Sequence, residues 1–259
     1  MSWEIELQEA LVAGRLAAKA IMEIYHQPFD VEIKDDMSPV TIADQSADEI
    51  IRNYLKSVFP DHAFLTEESS DDRSRLNNDY VWIIDPVDGT KDFVAKNDEF
   101  TTNIALCYKH QIVVGVVLAP ALNEIYYASR GHGSFMETPN EVRRIRVNDK
   151  LDDLTVLLSR FHVRKEEWDA INKHADKIKH TATVGSCLKA CRIAMGTAEI
   201  TYRLSDGSKE WDTAACQLVV EEAGGLLVTP QGRPLTYNRS DVRNREGYII
   251  ANRKENILL

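Results

Sequence analysis

Apolar residues recur at helical spacing near the start of the chain. Leu7, Leu11, Ala17, Ile21 and Ile24, between Trp3 and Tyr25, fall on one face and predict an amphipathic helix. A second helical pattern follows Pro39, with Ala47, Ile50, Ile51, Tyr54, Leu55 and Val58 on its apolar face. Thr41 and Asp44 have the spacing of a capping box, so Asp44 is expected in the first turn of that helix. The period then shortens. Residues 81–84 read as a short buried strand, and 101–108, 112–118 and 124–128 as an antiparallel meander with polar turns.

In the second half, strand and helix patterns alternate. Residues 155–158 read as a strand, a charged helical segment follows, and a helix is expected over 186–195, stopped by Gly196. Another helix is expected over 212–223, closed by Gly224 and Gly225, with strands at 226–228 and 248–251. The polar stretch 137–152 is expected to divide an N-terminal α+β subdomain, 1–145, from a C-terminal α/β subdomain, 146–259. No repeat interrupts this order.

Composition narrows the function classes. With 259 residues, 44% of them hydrophobic, the chain can bury a substantial core. A formal charge of -10 argues against polymeric nucleic acid as a partner, because binding a polyanion normally requires a basic face. An acidic pocket can still receive a small anion when a divalent cation reverses its local field. No apolar run approaches the roughly 20 residues of a membrane span, and the first residues lack the basic and apolar regions of an export signal. Cys107, Cys187, Cys191 and Cys216 form no C-x-x-C pair, so reduced thiols and a cytoplasmic location are expected.

The chemistry concentrates in Trp82-Ile-Ile-Asp-Pro-Val-Asp-Gly-Thr90, which sets acids directly after an apolar strand. Pro86 must leave the ladder and Gly89 permits a tight turn, so Asp85, Asp88 and the Val87 carbonyl can converge at the strand's end. Oxygen ligands on a turn suit a hard cation such as magnesium. An Asp-rich turn that merely caps a helix is the plain structural alternative. Glu67-Glu68 after Ala63-Phe64-Leu65, and Asp212 after Trp211, place further carboxylates at element ends. Asp212 alone would be read as a helix cap; as a set, these acids point to a metal site.

Four ordered blocks, P-V-T-I-A-D at 39–44, T-E-E-S at 66–69, W-I-I-D-P-V-D-G-T-K-D-F at 82–93 and E-W-D-T-A-A at 210–215, resemble the inositol monophosphatase superfamily of metal-dependent phosphatases. The resemblance runs from near residue 38 to about 230. It implies a layered α-β-α-β-α sandwich of mixed α/β and α+β character. It also implies two or three Mg2+ ions held by Glu67, Asp85, the Val87 carbonyl, Asp88 and Asp212. A phosphate monoester resists water until its oxygens are neutralised and a nucleophile is aligned behind phosphorus, and divalent cations serve both needs. By the same resemblance Thr90 orients the attacking water, Asp44 accepts the Thr90 hydroxyl proton, and Glu67 belongs with them among the catalytic groups. The resemblance further implies that the Gly89 and Thr90 amides face a phosphate oxygen and that Asp212 also contacts substrate.

Within the superfamily, the segment 88–106, with Lys91 and an N-x-E-F-T run, is similar to the bacterial 3′(2′),5′-bisphosphate nucleotidases. That resemblance assigns Gly185, Ser186, Lys189 and Arg203 to a second phosphate, and sets Ser159 and His162 of S-R-F-H on the nucleoside side. The substrate would be a small phosphorylated metabolite such as adenosine 3′,5′-bisphosphate, and the enzyme a monomer or homodimer. Each residue has a simpler reading: Lys189 as a solvated helical lysine, Arg203 as a partner of Asp206, His162 as a surface histidine. Around 203–211 no glutamate is clearly placed for an inositol hydroxyl, and Glu210 is expected to point elsewhere. An inositol monophosphatase or broad sugar-phosphate phosphatase, and a non-catalytic module that keeps the pocket, are the alternatives.

Overall fold

The computed structural model describes residues 2–33 and 39–259; the start of the family resemblance near residue 38 lies outside the described residues. The first helical pattern forms α1 (Glu4–Tyr25). Two short strands, β1 (Val31–Ile33) and β2 (Pro39–Thr41), pair antiparallel before α2 (Ile42–Val58). Thr41 caps α2 with the expected box, its hydroxyl accepting from the Ala43 amide while the Asp44 carboxylate accepts from the Thr41 amide.

Then come β3 (Ala63–Thr66), β4 (Tyr80–Asp88), the short α3 (Thr90–Val94), β5 (Thr101–Tyr108), β6 (Gln111–Ala119), β7 (Glu124–Ser129), β8 (Ser134–Glu137) and β9 (Val142–Ile145). These seven strands lie in chain order in one sheet, with β3 parallel to β4 and every other pair antiparallel. The stretch read as a polar divider therefore contributes β9. Its residues Val142, Arg143 and Arg144 are exposed, so this edge strand carries little of the apolar alternation that marks a strand in sequence.

The second half adds β10 (Leu154–Leu158), α4 (Lys165–Lys173), β11 (Ile178–Thr183), α5 (Leu188–Ala194), β12 (Ile200–Arg203), α6 (Ala214–Glu222), β13 (Leu226–Val228) and β14 (Tyr248–Ala251). Their sheet has the order β11-β10-β12-β14-β13, parallel at β10 and antiparallel at β14. β11 was not legible because, after Ile178, its residues are all exposed.

Period-2 burial explains the layering. In β4, Trp82 and Ile84 join a core with Ala47, Ile51 and Leu55 of α2, while Val81 and Ile83 turn the other way, toward Leu218 and Val219 of α6. In the second sheet, Leu157 and Ile250 face that same middle layer, whereas Val156, Leu158 and Ile249 pack with Ala170 and Ile171 of α4. The result is α1 and α2, a sheet, α5 and α6, a sheet, then α4: the expected α-β-α-β-α sandwich. Among the described residues no helix is long and apolar enough to cross a membrane.

Candidate active site

β4 does not stop at Ile84. Asp85 still pairs with Asn103 and Asp88 with Thr101, and the ladder shifts register between them so that Pro86 and Val87 bulge out. Pro86, lacking an N–H, cannot continue the ladder, and such a bulge re-aims the flanking side chains. Parallel β3 ends beside this point, and the Glu67 amide donates to the Ile84 carbonyl at 3.2 Å. Asp212 arrives from the other half. It ends a 3-10 turn, Glu210–Asp212, ahead of α6 and does not open that helix as the sequence suggested. Its Oδ2 accepts the Lys209 amide at 2.6 Å.

Glu67, Asp85 and Asp212 each offer an oxygen, all within 4.8 Å of one another. Burial pushes the Asp85 carboxyl well above its ordinary pKa, helped by the charges of Glu67, Asp88, Asp212 and Asp44. Burial, with Asp88 and Glu67 next, lifts Asp212 to about 8. Asp85 Oδ1 is buried and has no hydrogen-bond partner. A buried orphan acceptor amid converging like charges is what a cation would relieve, and an all-oxygen set suits a hard divalent one. Asp88 borders this trio while being tied elsewhere: its Oδ2 accepts the Cys187 amide at 2.7 Å, with Thr101 Oγ1 at 3.3 Å and Asn103 Nδ2 at 3.4 Å.

Gly89 follows with φ of +88°, a left-handed conformation that lets α3 begin at Thr90. The Thr90 hydroxyl lies 3.3 Å from Asp44 Oδ1 and 3.2 Å from the Val87 carbonyl. A cavity of about 340 Å³ opens over these groups. Its lining includes Glu67, Asp85, Asp88 and Asp212, and a wall from the C-terminal half carries Ser159, His162, Ser186, Lys189 and Arg203.

That wall is built differently from the sequence expectation. α5 begins at Leu188, because Ser186 adopts a positive φ of 47°, so Ser186 sits in the loop ahead of the helix. Lys189 is not a solvated lysine. Its Nζ donates to the carbonyls of Ser186 at 2.7 Å and Val184 at 3.3 Å, and burial lowers its pKa. Arg203 donates to the His162 carbonyl at 2.8 Å. Gly185 is buried behind the wall, its amide donating to Glu99 Oε2 at 2.9 Å. Glu210 does point elsewhere, accepting the amides of Asn238 at 2.7 Å and Arg239 at 2.9 Å. Sequence reasoning missed Phe161, an exposed aromatic on the cavity wall, and the Cys187 amide that fixes Asp88. A backbone donor leaves no mark in sequence, but the apolar Phe161 beside polar neighbours could have been noticed.

The sandwich and its carboxylate cluster define a metal-dependent phosphomonoesterase, and the chain belongs to the inositol monophosphatase family, whose model matches residues 4–257. It is 36% identical to the 3′(2′),5′-bisphosphate nucleotidase CysQ of Escherichia coli K12 over 248 residues, 95% of this chain and 99% of the relative. It is 35% identical to that of Buchnera aphidicola, covering 92% and 89%. Among solved structures, CysQ from Bacteroides thetaiotaomicron, a bacterial member of this family, superposes with a TM-score of 0.84 at 31% identity, over 96% of this chain and 98% of that one. An inositol monophosphatase from Thermotoga maritima gives a TM-score of 0.81 at 26% identity, over 95% and 92%.

Proposed function

We propose that this enzyme is a 3′(2′),5′-bisphosphate nucleotidase that converts adenosine 3′,5′-bisphosphate to AMP and phosphate. The observation that carries this reading is that one cavity is lined both by the carboxylate cluster and by the cations Lys189 and Arg203. The carboxylates suit a metal-bound phosphate that is cleaved, the cations an anion that is only held. The similarity to CysQ enzymes over nearly the full chain supports it. The site draws Asp44, Glu67, Asp85, Asp88 and Thr90 from the proposed subdomain 1–145, and Asp212, Lys189 and Arg203 from 146–259.

Glu67, Asp85 and Asp212 would hold magnesium, with Asp88 and the Val87 carbonyl completing a set for two or three ions. When bound, the metal supplies Lewis-acid neutralisation of the phosphate oxygens. The protein's own contribution is alignment. The single Thr90 hydroxyl proton is within reach of Asp44 Oδ1 and the Val87 carbonyl. Directing it to Asp44 turns the oxygen's lone pairs to the cavity, where they accept a hydrogen bond from the attacking water. The four cysteines are free and buried, which supports the cytoplasm as the compartment.

Arg203→Ala tests the held-phosphate site. It is expected to weaken kcat/KM for adenosine 3′,5′-bisphosphate by about 1.5–3 kcal/mol, and to leave 3′-AMP, which lacks the second phosphate, nearly unaffected. Equal losses on both substrates would remove Arg203 from that role.

A further inference from the structure

Two loops of the C-terminal half help line the cavity: the one after β10, with Ser159, Phe161 and His162, and the one after β11, with Ser186 ahead of Lys189. Both are tied to the N-terminal half by one carboxylate. Glu99 Oε2 accepts Arg160 Nη2 at 2.5 Å and the Gly185 amide at 2.9 Å. Arg160 also reaches the buried Asp92, with Nε 3.3 Å from Oδ1, and Asn97 Nδ2 holds the same oxygen at 2.6 Å. Asp92 lies in α3, the helix that starts at Thr90. Gly185 is packed so closely here that a Cβ on it would stand 2.5 Å from the Glu99 carbonyl oxygen and 2.8 Å from Asp92 Cγ.

Glu99 is the acid of the N-x-E-F-T run, and it stands outside the cavity lining, behind Arg160 and Gly185. We infer that Glu99 is a positioning residue for substrate specificity, clamping through Arg160 and the Gly185 amide the two loops that receive the non-reacting part of the substrate. Arg160 is well exposed, and an exposed ion pair contributes little to stability. The backbone amide and the second carboxylate are what distinguish this contact, because they fix the Lys189 loop relative to α3 and Thr90. The inference rests on the bisphosphate reading, since a clamp on this wall matters for a substrate that extends to it.

The test is steady-state kinetics of Glu99→Ala and Arg160→Gln with adenosine 3′,5′-bisphosphate and 3′-AMP, beside hydrogen exchange of the segment 184–189 in the same proteins. Each variant is expected to raise KM for the bisphosphate on the order of tenfold with kcat near the parent value, and to change 3′-AMP hydrolysis little. The double variant should lose much less than the product of the two single losses, because both changes release one clamp. Glu99→Gln, which keeps an acceptor for the Gly185 amide, should recover part of the loss. Exchange of 184–189 should quicken in Glu99→Ala whatever the substrate. Unchanged exchange, or equal kinetic losses on both substrates, would overturn the inference. A parent enzyme with no preference for the bisphosphate would instead defeat the substrate reading and leave exchange to decide the clamp.

Discussion

Asp44 and Thr90, separated by 46 positions in the chain, meet with Thr90 Oγ1 3.3 Å from Asp44 Oδ1. The other carboxylate oxygen, Oδ2, accepts the Thr41 amide at 2.8 Å and the Thr41 hydroxyl at 2.7 Å. Helix capping is therefore compatible with the catalytic role proposed for Asp44. One oxygen anchors the start of α2, and the anchored side chain presents the other to Thr90.

The proposed relay puts the two groups in series, so Thr90→Ala and Asp44→Asn are each expected to lower kcat by about 10²–10⁴-fold with little change in KM. The double variant should be no slower than the slower single one. Losses that multiply would contradict a shared relay.

Neutralising Asp85 separates function from folding. Asp85→Asn removes a charge that burial and four acidic neighbours oppose, so thermal melting in a chelator should show an unchanged or raised Tm. Magnesium-dependent turnover should be lost. A lower Tm together with retained turnover would show that the carboxylate is structural.

How much of this was legible in the sequence follows from where each signal resides. The helical faces of α1 and α2, the meander and the acids at strand ends are local patterns, and the structure keeps them. The family blocks added the pairing of Asp44 with Thr90, which no local pattern carries. β9 and β11 went unread because edge strands with exposed residues lose the alternation that marks a half-buried strand. Ser186 was placed inside a helix because Gly196 marks where α5 stops, whereas its start depends on a left-handed residue that composition does not favour. The partial burial of Lys189 and the turning of Gly185 onto Glu99 are tertiary facts, set by the approach of the two halves.

The approach of α6 to the first sheet depends on Gly115. A Cβ there would stand 2.5 Å from the Ala215 carbonyl oxygen, in the first turn of the helix that follows Asp212. Gly115→Ala should push α6 outward and cost about 1–3 kcal/mol of stability. Asp212 would move with it, so half-maximal activity should require more magnesium. A melting curve and a magnesium titration check both effects, and a variant unchanged in both would contradict the proposed coupling.

His162 reports the charge of the cavity wall. Its ring stands at the exposed rim, yet the enclosing protein, and then Arg203, Lys91, Lys189 and Arg164, push its pKa down to about 4. Below the ordinary histidine value of about 6.5 the unfolded chain takes up the proton first, so the contribution of His162 to stability is present above that value and lost as pH falls toward 4. An NMR titration should place its midpoint below 6.5 in the free enzyme and higher once adenosine 3′,5′-bisphosphate is bound. A midpoint at or above 6.5 in the free enzyme would show that solvent screens these cations from the ring.

The central claim, a magnesium phosphatase whose cavity is shaped for a nucleoside bisphosphate, is tested most directly by initial rates on adenosine 3′,5′-bisphosphate and inositol 1-phosphate side by side, with magnesium and with chelator. The carboxylate cluster and cationic wall predict strictly magnesium-dependent release of phosphate, with kcat/KM at least tenfold higher on the bisphosphate, the equivalent of roughly 1.4 kcal/mol. Turnover that survives chelation, or a preference for inositol 1-phosphate, would contradict the account.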